Sequence, residues 1–211
     1  MNPEHLSIQS AGGIILEARW DRPAKPTGAL VFCHPHPQHG GTMSAPLMHK
    51  VTKFLVDRGL AVLRFNFRGV GRSTGEWDDG VGEIDDVATA VAQFRSSGED
   101  LPMGIAGWSF GAVTALAWQA RDGDTSPYAG IAPPVRTEYA ERLPAPDSLP
   151  SASRAFILGD RDQFATVEET RVYTEAAGGS LIVMNGSDHF FFFREEQVAN
   201  AIADHFAASI G

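Results

Sequence analysis

The 211-residue chain has one cysteine, Cys33, so no internal disulfide can form. A lone thiol suits a reducing compartment, and a cytoplasmic location is expected. Long apolar runs are missing too. Phe190 to Phe193 is the densest aromatic stretch, yet a membrane span needs about 20 apolar residues. The opening residues, MNPEHLSIQSAGG, lack the basic start and apolar stretch of a signal peptide. Basic charge is also scarce. Lys and Arg total 17 against 26 Asp and Glu, a formal charge of −9 with no dense basic cluster. That disfavours nucleic acid or an anionic membrane surface as a partner. No long repeat or low-complexity segment occurs. The length allows one sizeable core, so a single domain over residues 1–211 is expected, as a monomer or homodimer.

The remaining pattern alternates between strands and helices. Leu6 to Ile8 and Ile14 to Arg19 flank Gly12-Gly13 and predict an edge hairpin. Ala29 to Cys33 is a continuous apolar run, as in a sheet covered on both faces. A helix is expected from about Ala45 to Arg58, then a strand from Ala61 to Phe67, then a loop over Arg68 to Gly82. Glu83 to Arg95 reads as a helix with acidic residues in its first turn, where the dipole favours them. Further strands are expected at Met103 to Ala106, Tyr128 to Ile131, Arg154 to Leu158 and Leu181 to Met184. Helices are expected from Ala112 to Trp118, Val167 to Ala177 and Glu195 to Ile210, and residues 135–153 have room for one short helix. This order predicts an α/β fold: a mostly parallel sheet, an N-terminal antiparallel hairpin, helices on both faces and no large lid.

Two stretches match G-x-S-x-G. Gly107-Trp108-Ser109-Phe110-Gly111 lies between a strand and an Ala-rich helix, the context of a nucleophile elbow. Gly71-Arg72-Ser73-Thr74-Gly75 also follows a strand but leads into loop, so Ser73 reads as a polar residue of a glycine-rich loop. Ser109 is therefore the candidate nucleophile. A serine alcohol needs a base, and the base needs an orienting carboxylate. His189 follows the last strand, whereas His205, the other downstream histidine, sits on the closing helix. Asp162 has room to turn back toward His189; Asp160 reads as a turn cap or a partner of Arg161, and Asp188 adjoins His189 too closely to orient it. The oxyanion donors are expected to be the Phe110 and His36 N–H groups, because Pro35 and Pro37 have none. Gly40 and Gly41 would let the backbone pass close to substrate. Phe164 and Phe190 to Phe193 read first as core, with one or two lining an apolar acyl pocket. Trp108 is expected to pack under the elbow rather than touch substrate, and Cys33 to be a buried strand residue.

Five ordered motifs carry a family resemblance. They are His34-Pro35-His36-Pro37 with Gly40-Gly41-Thr42-Met43, Phe65 through Ser73, Gly107 through Ala112, Gly159-Asp160-Arg161-Asp162, and Asp188-His189-Phe190-Phe191. Together they resemble the α/β-hydrolase superfamily and, within it, the small lidless dienelactone-hydrolase-like serine esterases of bacteria. The resemblance implies a triad of Ser109, Asp162 and His189, and a structural role for the loop carrying Ser73. One position departs: dienelactone hydrolases proper use a cysteine nucleophile, which argues against dienelactone itself as substrate.

The expected activity is a carboxylesterase-type hydrolysis of short- to medium-chain esters through an acyl-enzyme, with no cofactor. The same triad also serves thioester hydrolysis, lactone opening and acyl transfer. Two rivals come from other classes. His34-x-His36-x-Gln38-His39 is one residue from the H-x-H-x-D-H run of metallo-β-lactamases, but Gln38 removes the anionic ligand, so no metal is expected. A catalytically idle binding module is the other.

Overall fold

The computed structural model describes residues 3–98, 100–136 and 142–210. Eight strands form one sheet: β1 (Glu4–Gln9), β2 (Ile15–Asp21), β3 (Gly28–Cys33), β4 (Leu60–Phe65), β5 (Met103–Trp108), β6 (Tyr128–Ile131), β7 (Arg154–Gly159) and β8 (Ser180–Met184). Their spatial order is β1-β2-β4-β3-β5-β6-β7-β8. β1 and β2 pair antiparallel as the hairpin, and β2 also runs antiparallel to β4. Every pairing from β4 through β8 is parallel.

Among the described residues five α-helices flank these strands: α1 (Pro46–Asp57), α2 (Gly82–Ser96), α3 (Phe110–Asp122), α4 (Val167–Ala176) and α5 (Glu195–Ile210). The alternation of strand side chains explains the layering. In β3, Ala29, Val31 and Cys33 join one apolar cluster with Phe94 of α2 and Leu116 and Trp118 of α3. Leu30 and Phe32 join the other, with Leu47 and Val51 of α1 and Ile202 and Phe206 of α5. The sheet is thus buried on both faces, which is why β3, β4 and β7 carry no exposed residue.

The structure departs from the sequence reading in three places. β4 stops at Phe65, not Phe67, because the Phe67 N–H turns to the His34 ring instead of a neighbouring strand. Glu83 and Asp86 do more than complement a helix dipole: both are fully buried, and Asp86 pairs with Arg68 at 2.9 Å. In keeping with the sequence, the stretch 135–153 has a short 3-10 helix at Pro146–Ser148, while residues 137–141 lie outside the described residues. The phenylalanine run is core only at Phe191; Phe190, Phe192 and Phe193 are exposed, because positive φ angles at Phe191 and Phe193 break the helical spacing that would bury them.

Candidate active site

The elbow is built by two close approaches. A Cβ on Gly107 would stand 2.3 Å from the Gly111 backbone, and one on Gly111 would stand 2.4 Å from the Cys33 carbonyl oxygen. Only glycine lets β5, α3 and the end of β3 meet so closely. Ser109 is left at φ 55, ψ −120 as the N-cap of α3. A non-glycine residue in this region carries strain of order 1–3 kcal/mol, common where a side chain must stand clear of its backbone. Phe110 is the first residue of α3, so its N–H has no partner within the helix, and the positive end of the dipole lies there.

His189 is paired with Asp162. His189 Nδ1 and Asp162 Oδ2 are 2.8 Å apart, with both side chains almost fully buried. The other Asp162 oxygen accepts the Phe164 N–H at 2.8 Å and the Ala165 N–H at 3.1 Å, which fixes the carboxylate's orientation. In the neutral tautomer that donates Nδ1–H to the carboxylate, Nε2 carries the lone pair. Trp108 Nε1 donates to the His189 carbonyl at 3.1 Å and ties the histidine loop to the elbow. Asp160 lies elsewhere, accepting the Gly186 N–H and capping the turn after β8. Asp188 accepts the Phe190 N–H. His205 lies on α5.

The loop after β3 folds against itself. The His36 carbonyl accepts from His39 at 3.1 Å and Gly41 at 3.0 Å. A Cβ on Gly41 would stand 2.1 Å from the Pro35 oxygen, so this glycine is required by the loop's own closure. Gly40 is required by its φ of 80. His34, fully buried, clamps the base of the loop: its Nδ1 lies 2.6 Å from the Pro35 oxygen and its Nε2 accepts the Phe67 N–H at 3.0 Å. Both ring nitrogens are thereby engaged within the chain. Burial pushes the His34 pKa down to about 4. Burial, with His39 stacked alongside at 4.4 Å, lowers His36 to about 4 as well. Both are neutral imidazoles at pH 7.

Apart from Asp162, which stands behind His189, all the predicted site residues border one cavity of about 310 Å³: Ser109, Phe110, His189, His36, Gly40, Gly41, Phe164 and Phe190. Trp108 is 6% exposed and packs under the turn as expected, but it borders the cavity as well. Among the described residues, no cluster of three or more metal-ligating side chains occurs.

A model of the family described as Hydrolase_4, serine aminopeptidase S33, matches residues 24–190. The chain belongs to this α/β-hydrolase family. An α/β serine hydrolase homologue from Coxiella burnetii is 31% identical, covers 97% of each chain and superposes with a TM-score of 0.83. A Xanthomonas campestris α/β serine hydrolase without a lid is 27% identical, covers 99% of this chain and 95% of its own, and gives a TM-score of 0.85. An uncharacterized protein of Rickettsia prowazekii is 32% identical over 202 residues, 90% of this chain and 83% of that one. The hydrolase shares the lidless fold of the Xanthomonas campestris protein, and among its described residues no helix is long and apolar enough to cross a membrane.

Sequence reasoning missed the supports of the site. Arg64 Nη1 donates to the Met43 carbonyl at 2.7 Å while its guanidinium pairs with Asp21 at 2.6 Å. Asn66 Oδ1 accepts the Met43 N–H at 2.9 Å. Together they pin the far end of the His34–Gly41 loop. The signal was a lone arginine in the apolar run Leu60–Phe65, since a buried guanidinium must have partners. Trp77 was missed for want of any pattern; its ring lies 4.8 Å from His36 and 5.2 Å from Phe110 and backs these two residues of the cavity wall.

Proposed function

We propose that this hydrolase cleaves short- to medium-chain carboxylic esters by double displacement, with Ser109, His189 and Asp162 as its triad. The observation that carries the reading is the 2.8 Å contact between His189 and Asp162, which leaves Nε2 for the cavity that Ser109 borders. His189 Nε2 takes the Ser109 proton as Oγ attacks the ester carbonyl. The Phe110 and His36 N–H groups hold the oxyanion, and Asp162 stabilises the imidazolium. His189 then gives its proton to the leaving alcohol and activates water against the acyl-enzyme.

A cavity of about 310 Å³ is at the small end for ligand sites, which favours modest acyl groups. Among the described residues bordering it there is no carboxylate, lysine or arginine. A free peptide N-terminus would bring a bare ammonium into that apolar space without a counter-charge, so a neutral ester fits better. The narrower kinship with dienelactone-hydrolase-like esterases, a single domain over residues 1–211 and a cytoplasmic location, for which the lone buried Cys33 speaks, belong to the same proposal.

The test is covalent. A fluorophosphonate should leave one adduct, mapped to Ser109 by peptide mass and absent from Ser109→Ala. No adduct, or one on Ser73, would overturn the assignment.

A further inference from the structure

Phe190 to Phe193 does not behave as a core segment. Phe191 is fully buried, held at φ 51, and flanking Phe190 and Phe192 are 43% and 61% exposed. Those two rings stack, with centroids 5.8 Å apart and planes 26° apart. Phe190 borders the cavity and sets its edge against the His189 ring at 5.6 Å. Phe192 therefore continues the cavity wall outward as an aromatic shelf. A strained turn that anchors one ring in order to hold two others in solvent costs stability twice, in backbone strain and in exposed apolar area. A binding role for the two exposed rings would account for that cost.

The shelf lies on the leaving-group side. His189 must protonate the departing oxygen, so the alcohol half of the ester lies against the histidine, and Phe190 and Phe164 flank that ring at 5.6 and 4.5 Å. We infer that Phe190 and Phe192 form an outer subsite for an uncharged aromatic alcohol moiety, making aryl-alkyl esters the preferred substrates. The inference rests on the triad reading above. It replaces the acyl side with the alcohol side for Phe164 and Phe190.

The experiment compares kcat/KM for 2-phenylethyl acetate and 2-cyclohexylethyl acetate. Both form the same acetyl-enzyme, reach equally far and release alcohols of nearly equal acidity. The cyclohexyl ester is the more hydrophobic, so a phenyl preference reports ring stacking and not area. Ring–ring contact predicts a preference of about three- to tenfold for the phenyl ester. Phe190→Leu and Phe192→Leu should each bring the ratio toward one. Phe193, 91% exposed, supplies the control, and Phe193→Leu should keep the ratio. Equal rates in the wild type overturn the shelf while fluorophosphonate still labels Ser109 and both esters are cleaved. A preference that appears only between methyl phenylacetate and methyl cyclohexylacetate overturns it too, by moving the aromatic group to the acyl side. No cleavage together with no Ser109 adduct sinks the triad reading and this inference with it.

Discussion

The chain carries the same five-residue pattern twice, and the two copies meet opposite fates. At Ser73 the hydroxyl is consumed: it accepts the Glu17 N–H at 2.9 Å and donates to the Asn66 carbonyl at 2.7 Å, with the residue 8% exposed. At Ser109 the residue caps α3 with φ 55 and borders the same cavity as His189, whose ring is paired with a carboxylate. The pattern specifies a tight glycine turn in both loops. What differs is where the chain goes next. A helix after Ser109 directs backbone N–H groups toward the site, whereas the Ser73 copy is itself tied to the start of β2, where Thr74 Oγ1 accepts the Ile15 N–H, and leads into loop. A motif serine can serve as a nucleophile only where the surrounding backbone leaves its hydroxyl alone, as the role proposed for Ser109 requires.

The largest effect that can break this comparison is on turnover. Ser109→Ala should lower kcat for a short ester by at least about 10⁴-fold, since triad members act as a unit. Steady-state rates with 4-nitrophenyl acetate, corrected for buffer hydrolysis, measure it. Retained activity in that variant would show that the elbow is idle and that the two serines do not differ as argued.

Next comes the cost of the turns themselves. In the elbow the glycines face backbone, which cannot move aside; at Gly75 a Cβ would meet the end of the Ile14 side chain at 2.9 Å, which can. Gly111→Ala should cost about 3 kcal/mol, the upper end for overpacking, and lower Tm by roughly 6–12 °C. Gly75→Ala, at φ 81, should cost about 1 kcal/mol from its left-handed backbone. Equal Tm losses would mean that both turns are equally adaptable.

His34 joins the two regions, because its ring bonds the Pro35 carbonyl beside the cavity and the Phe67 N–H at the entry to the Ser73 loop. Nε2 accepts only while the ring is neutral, and burial holds the folded-state pKa at about 4, below the ordinary 6.5. Between those values the unfolded chain binds the proton and the folded chain does not. The contribution is full above pH 6.5 and declines by up to about 3 kcal/mol as pH falls to 4. Urea unfolding across pH 4–7 should show this slope, and His34→Gln should flatten it by about one proton. An unchanged slope in the variant would mean that His34 does not couple the loops.

The strand–helix alternation was legible because a sheet covered on both faces needs unbroken apolar strands, and Ala29–Cys33 and Arg154–Leu158 supply them. The candidates Ser109, His189 and Asp162 were legible because each follows such a strand. The supports were not, since they depend on contacts across distant sequence: Arg64 with Met43, His34 with Phe67, Trp77 with His36. The exposed phenylalanines were misread for a related reason. Composition says that Phe is buried, but the φ of 51 at Phe191 arises from how the chain leaves His189 for α5, which no local pattern encodes.

Ser73→Ala probes the same loop with the smallest expected effect on catalysis. Removing the hydroxyl leaves the Glu17 N–H and the Asn66 carbonyl without their shared partner, which should cost about 1–2 kcal/mol. Asn66 also receives the Met43 N–H through its side chain, so slack at this point reaches the cavity loop only through one further bond. The kcat/KM for 4-nitrophenyl acetate should therefore stay within about threefold of wild type, and the fluorophosphonate adduct should remain on Ser109. A hundredfold fall in a variant of unchanged Tm would place the second serine inside the catalytic machinery and erase the distinction between the loops. A loss of stability with activity intact would leave Ser73 as the latch that holds the Arg68–Gly82 loop against β2.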